Sequence, residues 1–200
     1  GAVFSSSPNF FTSASALSWA LYLLATHPQI QDRVADEVAG LPEAPGMADL
    51  SRLRLTRDVF RETLRLYPPV PMMVRENARP ELLRGRAVRP GAQIVISPWH
   101  LHRHDRIWDT PDIFDPDRWT RAETRTSQRD GYLPFSAGPR VCTGAGFAMA
   151  EGVLLLAALL RDWRLRPVGG RVPVPVAHLT VRSRAGIWLH LTRRVASAQR

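Results

Sequence analysis

The stretch Phe135-Ser136-Ala137-Gly138-Pro139-Arg140-Val141-Cys142-Thr143-Gly144 holds the only cysteine of the chain. Glycines stand four residues before and two residues after the sulfur. Such positions suit a backbone that takes φ > 0 or closely approaches a flat object. Arg140 lies two residues before the cysteine, and a helical pattern starts just after it. A helix N-terminus and a nearby guanidinium both favour thiolate over thiol. A lone cysteine by itself fits a small buried hydrophobe. A nucleophile is a second use, but no thiol-protease signature flanks it. A buried thiolate with backbone N–H groups aimed at it makes a good axial ligand for iron.

Outward from this loop, the composition is that of a folded chain. The 200 residues are 44% hydrophobic and 22% charged, which fits one domain and excludes disorder throughout. One cysteine excludes an internal disulfide framework and a Cys-rich zinc site. The net charge is +9, and all 27 basic residues are arginine. They are spread along the chain with no clustered stripe, which argues against nucleic-acid binding. GC-rich coding explains the absence of lysine more simply than selection for phosphate contacts does. The start GAVFSSSPNFF is not a signal peptide. The apolar runs at Ala20–Ala25 and Val153–Leu160 are far shorter than a bilayer span, so a soluble, cytoplasmic chain is expected.

Periodicity predicts a helix over Thr12–Thr26, apolar nearly all round and therefore buried. His27-Pro28 ends it, and Pro28 opens a second, amphipathic helix through about Val38. A third helix runs from about Thr56 to Leu66 and stops at Tyr67-Pro68-Pro69. Val70–Asn77 and Leu82–Ser97 have β patterning, with RPGAQIVIS as the second arm of a hairpin. Pro98 to Pro134 reads as irregular, with a short helix near Trp99–His104. A long apolar helix is expected over Gly144–Trp163, then two or three short strands within Val172–Thr192. The fold class expected is mostly α with small β-sheets, that is α+β.

The loop pattern FxxGxRxCxG, completed by Phe135, Gly138, Arg140, Cys142 and Gly144, resembles the haem-binding loop of the cytochrome P450 family. The resemblance implies that Cys142 is the proximal ligand of heme b, that Arg140 pairs with a haem propionate and that Phe135 packs near the thiolate. Glu62 and Arg65 share a helix face at i and i+3. Their context RETLRLYPPV resembles the family's ExxR helix, and Phe114-Asp115-Pro116-Asp117-Arg118-Trp119 resembles its PERF-like segment. Arg118 is then the third member of a buried structural triad with Glu62 and Arg65. Val70-Pro71-Met72-Met73-Val74-Arg75 looks like the family strand that passes over the haem. Arg75 becomes a second propionate ligand, and Val70, Met72 and Met73 line the distal pocket. An ordinary core strand is the plainer reading of that segment. Leu179 and Thr180 fall at another substrate-contacting turn.

The resemblance extends from about Thr12 to Arg193 and corresponds to the C-terminal part of the family fold. It implies one partial domain over 1–200. Within it lie a distal helix at 12–27, the ExxR helix at 56–67, the cysteine loop at 135–144, its following helix at 145–163 and strands at 172–192. Thr12 is the candidate donor to iron-bound oxygen. Asn9 and Phe11 replace the family's glycine and acid, and Pro8 would interrupt the helix. The first and last long helices are expected to expose apolar faces. His100, His102 and His104 would share a face on a strand, but no matching ligand spacing supports a metal site.

The activity implied is insertion of one oxygen atom from O2 into an apolar organic substrate. Electrons would come from a ferredoxin, flavodoxin or flavoprotein reductase. The alternative is a truncated, non-catalytic remnant that needs a partner to bind haem. Peroxide-driven oxygenation is not separable from the first reading by sequence.

Overall fold

The structure, a computed structural model, describes residues 11–42 and 45–194. The expectations on Pro8 and Asn9 lie outside these residues, as does the side chain of Phe11. Six helices are described: α1 Phe11–Thr26, α2 Pro28–Ala39, α3 Arg54–Leu66, α4 Pro98–Leu101, α5 Thr124–Gly131 and α6 Ala145–Asp162. Four antiparallel strand pairs accompany them. They are built from β1 Met73–Glu76, β2 Glu81–Leu83, β3 Arg86–Val88, β4 Gln93–Ile96, β5 Trp163–Pro167, β6 Pro175–Ala177, β7 Val181–Ser183 and β8 Leu189–Arg193. The architecture is mostly α with small sheets. Among the described residues, no helix is long and apolar enough to cross a membrane.

The core forms where α1, α2, α3 and α6 bring their apolar faces together over β5. Ala16, Ala20 and Leu24 of α1 meet Val59, Phe60 and Leu64 of α3, Leu156 and Leu160 of α6, and Leu165 of β5. The uniformly apolar sequence of α1 fits this central position, because a helix without a polar face must be enclosed. Among the described residues, no large apolar side chain of α1 is exposed, contrary to the expected bare face. The neighbouring elements already cover it. On α6, Phe147 and Leu155 are exposed, as expected for that helix.

Two buried or half-buried polar side chains set how the elements meet. Gln31 on α2 accepts from the Leu165 amide at 2.7 Å. Its Nε2 donates to the carbonyls of Leu24 at 2.9 Å and Leu165 at 3.0 Å. One side chain thus ties α1 and α2 to β5. Glu37 caps α3 from outside the helix, accepting from the amides of Leu55 at 2.7 Å and Thr56 at 2.8 Å. A carboxylate there satisfies orphan N–H groups and complements the helix dipole.

The strand pairing departs from the simple hairpin expected. Gly91 takes φ +78 and turns the chain into β4, whose partner is β1, with Arg75 opposite Ile94. A separate hairpin of β2 and β3 fills the space between them. Strand β5 was not anticipated. It pairs with β8, Leu165 opposite Leu191, yet presents only Leu165 fully inward among arginines. Helix α5, with the polar sequence TRTSQRDG, was not anticipated either, because it buries only Thr124 and Gly131 and has no apolar period. The histidine run forms the helical turn α4 and its exit, in line with the short helix expected near Trp99–His104, and of the three rings only that of His102 is buried.

Helix α6 crosses α3 closely at Gly152. A Cβ placed there would lie 2.3 Å from Cζ of Phe60, a ring that is itself buried. Alanine in a helix interior gains about 1 kcal/mol over glycine, whereas overpacking a core costs roughly 1–3 kcal/mol. The added methyl would meet three atoms of the Phe60 ring at 2.3–2.7 Å, an overlap too deep for a small shift to relieve, so the second effect wins. Gly152→Ala is therefore expected to lower the urea midpoint, and adding Phe60→Leu is expected to recover part of the loss.

Candidate functional site

The site is built on a buried ion cluster. Glu62 and Arg65 leave the same face of α3, one turn apart, and both are fully buried. Arg65 places Nε 3.0 Å and Nη2 2.8 Å from the two carboxylate oxygens. Arg118 donates from Nε to the same carboxylate at 2.9 Å, and the amide of Asp115 adds a fourth bond at 3.1 Å. All but one of the remaining guanidinium protons are used as well. Arg65 donates to the carbonyls of His102 at 2.7 Å, Ile113 at 3.0 Å and Pro111. Arg118 donates to Asp109 at 2.8 Å and to Thr110 and Ile113, each at 3.2 Å. A guanidinium has five N–H donors, and all five of Arg65 are spent.

These bonds organise the proline-punctuated stretch between α4 and α5. Pro116–Thr120 forms a 3-10 turn, N-capped by Asp115, whose carboxylate accepts from the Asp117 amide at 3.1 Å. Arg33 on α2 grips Asp117 through two bonds of 2.8 and 2.7 Å, and this holds the Asp117 carboxyl below its ordinary pKa. Aromatic rings fill the space behind the arginines. Trp119 lies 4.7 Å from Tyr132, with the Arg61 guanidinium 4.1 Å over its face. Burial raises the Tyr132 pKa, and its hydroxyl donates to the Arg61 carbonyl at 3.0 Å.

The cysteine loop is folded on itself by backbone bonds. The Cys142 amide donates to the Phe135 carbonyl at 2.9 Å, and the Ala145 amide, at the start of α6, donates to the Cys142 carbonyl at 3.3 Å. Gly138 takes φ +67, the left-handed conformation anticipated for one of the two glycines. Gly144 does not, at φ −88; a Cβ there would only touch Cys142 Sγ, at 3.9 Å. Ser136 is left-handed too, at φ +66, a conformation that costs a non-glycine residue energy. Its hydroxyl accepts from Arg75 Nη2 at 2.9 Å, which brings β1 to the loop. Cys142 is exposed in the chain as it stands, not buried as the loop reading assumed. The sulfur opens instead into a cavity.

That cavity has a volume of about 200 Å³ and is mostly apolar. Thr12, Ala16, Val70, Met73, Phe135 and Cys142 line it, with Arg140 at its edge. The structure thus brings together Thr12 from α1, Val70 and Met73 around β1, and the loop. Met72, however, lines a separate groove with Pro71, Trp99 and Val181. Successive strand side chains point to opposite faces, so the two methionines cannot both face the cysteine. Leu179 is 87% exposed at the β6–β7 turn and lines neither space, and Thr180 is buried away from the cavity. Phe60, Leu64, Pro69, Ser13 and Ala148 also line the cavity and were not named from sequence. Ala148 sits one turn after Gly144 on α6, a spacing that could have identified it.

One thiol set in an apolar wall, beside a helix N-terminus and with guanidiniums near the rim, suits a flat apolar metal macrocycle that carries carboxylates. No group of three or more His, Cys, Asp or Glu side chains among the described residues could hold a bare metal ion.

Comparison with known proteins agrees with this geometry. The family profile described as Cytochrome P450 matches residues 10–187. Cyclooctatin synthase of Streptomyces melanosporofaciens is 43% identical over 80% of this chain and 35% of its own length. Cytochrome P450 4A10 of Mus musculus is 39% identical over 91% of this chain and 36% of its own. A cytochrome P450 crystal structure superposes with TM-score 0.82 at 30% identity, over 92% of this chain and 43% of that one. The heme domain of cytochrome P450DA gives 0.83 at 29% identity, over 92% and 41%. The chain therefore spans little more than a third of the curated relatives it matches.

Removing the acid from the ion cluster strands two buried guanidiniums. Glu62→Ala is expected to cost about 3–5 kcal/mol in denaturant unfolding, and Arg33→Ala, at an exposed pair, no more than about 1 kcal/mol. Burial also lowers the pKa of His102 to about 3. The unfolded chain binds this proton near the ordinary imidazole value of 6.5 and the folded chain does not. The stabilising contribution is complete above pH 6.5 and is lost as pH falls toward 3, with a limiting slope of about 1.4 kcal/mol per pH unit. Unfolding titrations of His102→Phe are expected to lack that component.

Proposed function

The chain belongs to the cytochrome P450 family, and from that premise we propose that it forms the cysteine side of a haem-thiolate monooxygenase site acting on an apolar substrate. The observation that carries this reading is that Cys142 and Thr12 line one and the same apolar cavity. Cys142 would hold the iron of heme b through sulfur, beside the first turn of α6, whose dipole favours the thiolate. Arg75 and Arg140 would pair with the two propionates. Arg75 is already oriented by its bond to Ser136. When bound, the haem would supply oxygen activation, which ligation by a thiolate would promote by donating electron density.

The remaining roles belong to side chains. Val70, Met73 and Ala16 keep the cavity apolar, and a methionine adapts its shape to an apolar substrate. Thr12 is a hydroxyl in that lining and would hold a proton at Oγ1 on the oxygen side. Glu62, Arg65 and Arg118 touch neither substrate nor haem and act by holding the surrounding loops. Met72 and Leu179 lie off the cavity and have no part in it. One atom of O2 would enter the substrate and the other leave as water, with two electrons from a ferredoxin, flavodoxin or flavoprotein reductase and two protons from solvent.

The test is spectroscopic. The chain loaded with haem, reduced and exposed to CO is expected to show the red-shifted Soret band of thiolate ligation. Cys142→Ala is expected to abolish it. A band that survives in the variant would identify another ligand and defeat the reading.

A further inference from the structure

His100, His102 and His104 follow one another at alternate positions, and the proposed function uses none of them. His100 and His104 are exposed, whereas the His102 ring is fully buried. The His102 ring joins two pieces of main chain. Nε2 lies 2.8 Å from the amide nitrogen of Leu133, and Nδ1 lies 3.1 Å from the carbonyl oxygen of Arg65. An amide can only donate, so Nε2 accepts and the proton sits on Nδ1, which donates to Arg65. The same residue also gives its own carbonyl to the Arg65 guanidinium, at 2.7 Å. Its ring packs at 5.4 Å from that of Tyr132.

Leu133 is where the cysteine loop begins. Its carbonyl accepts from the Ser136 amide at 3.4 Å, and the Phe135 carbonyl accepts from the Cys142 amide at 2.9 Å. A continuous path of bonded groups therefore runs from Arg65 through the His102 ring to Leu133, and on through the loop to the cysteine. The opposite end of the loop is held by α6. Without the imidazole, the Leu133 amide would lose its partner; Arg75 would still hold Ser136 on one side, and the Gln128 and Arg61 carbonyls would still hold Tyr132 on the other.

We propose that His102 is a positioning residue for the cysteine loop, a neutral imidazole that hangs the Leu133 amide from the Glu62–Arg65–Arg118 cluster and thereby sets where Cys142 stands. The role in placing the sulfur for iron rests on the haem-thiolate reading; the role in holding the loop does not. His102 neither lines the cavity nor reaches solvent, so it is not a proton shuttle. The low basicity that burial confers keeps the ring in the neutral form this bonding needs.

Three substitutions separate the two bonds. In His102→Gln the side-chain oxygen reaches the place of Nε2 and can accept from Leu133. His102→Asn keeps a donor for the Arg65 carbonyl but is too short for Leu133. His102→Phe keeps the ring against Tyr132 and loses both bonds. Amide hydrogen exchange is measured on the whole chain without haem, with the buried core position Leu156 as control. Loss of the acceptor is expected to speed exchange at Leu133 and Cys142 by at least about tenfold in the Asn and Phe variants. Exchange at Leu156 should stay as in the unsubstituted chain, and Gln should hold all three amides near their original rates. With haem and CO, the Asn and Phe variants are expected to lose the thiolate Soret band faster on standing than Gln. Exchange unchanged at Leu133, a Gln variant that behaves like Phe, or equal acceleration at Leu156 would each overturn the proposal. If Phe does not fold, the Asn and Gln pair decides it. If the unsubstituted chain shows no thiolate band, the haem reading fails while the exchange comparison still judges His102.

Discussion

Two guanidiniums and one carboxylate sit together in the interior, and no water is needed to satisfy them. Taking such charges out of water costs several kcal/mol per ion, so the arrangement survives only with nearly every donor and acceptor engaged. Glu62 alone cannot neutralise both Arg65 and Arg118. The balance is made by backbone carbonyls at His102, Asp109, Thr110, Pro111 and Ile113, which turn their negative ends inward. A stretch of chain with little regular structure is thereby given a defined path. Its fold is an answer to the electrostatic demand of two arginines.

That demand explains how a loop without a core of its own can present one sulfur in a fixed place. The cysteine loop has few buried apolar contacts, and Cys142 and Arg140 are exposed. Its order comes from attachment: the His102 ring at Leu133, Arg75 at Ser136 and the first turn of α6 after Gly144. Two of the three lead back to α3 or to the strand that follows it. Rigidity at the site is borrowed from the helix core through hydrogen bonds.

Much of this was legible in the residues because the chemistry demands particular side chains at close spacing. Glu62 and Arg65 fall on one helical face, Arg118 recurs in a proline-flanked segment, and the loop pattern surrounds one cysteine. What was illegible depends on distant partners. Helix α5 has no apolar period, and β5 presents one inward leucine between arginines, so neither announces itself locally. The pair Met72 and Met73 looked like one apolar wall, yet a strand must send neighbours to opposite faces, and only Met73 meets the cavity. His102 was indistinguishable from its two neighbours, because its significance lies in an amide 31 residues later.

Gln31 has a consequence for the order in which the molecule is made. Its amide completes α1 and α2 only by bonding Leu165, 134 residues further along. At synthesis rates of about 5–20 residues per second, the partner strand is absent for on the order of ten seconds after Gln31 has emerged. Through that interval the most apolar helix of the chain has neither β5 nor α6 to cover it. The finished core is thus assembled late, from segments more than a hundred residues apart. Between the synthesis of Gln31 and that of Leu165, the growing chain carries an apolar surface that only α6 and β5 later hide, so elongation speed sets how long that surface stays open.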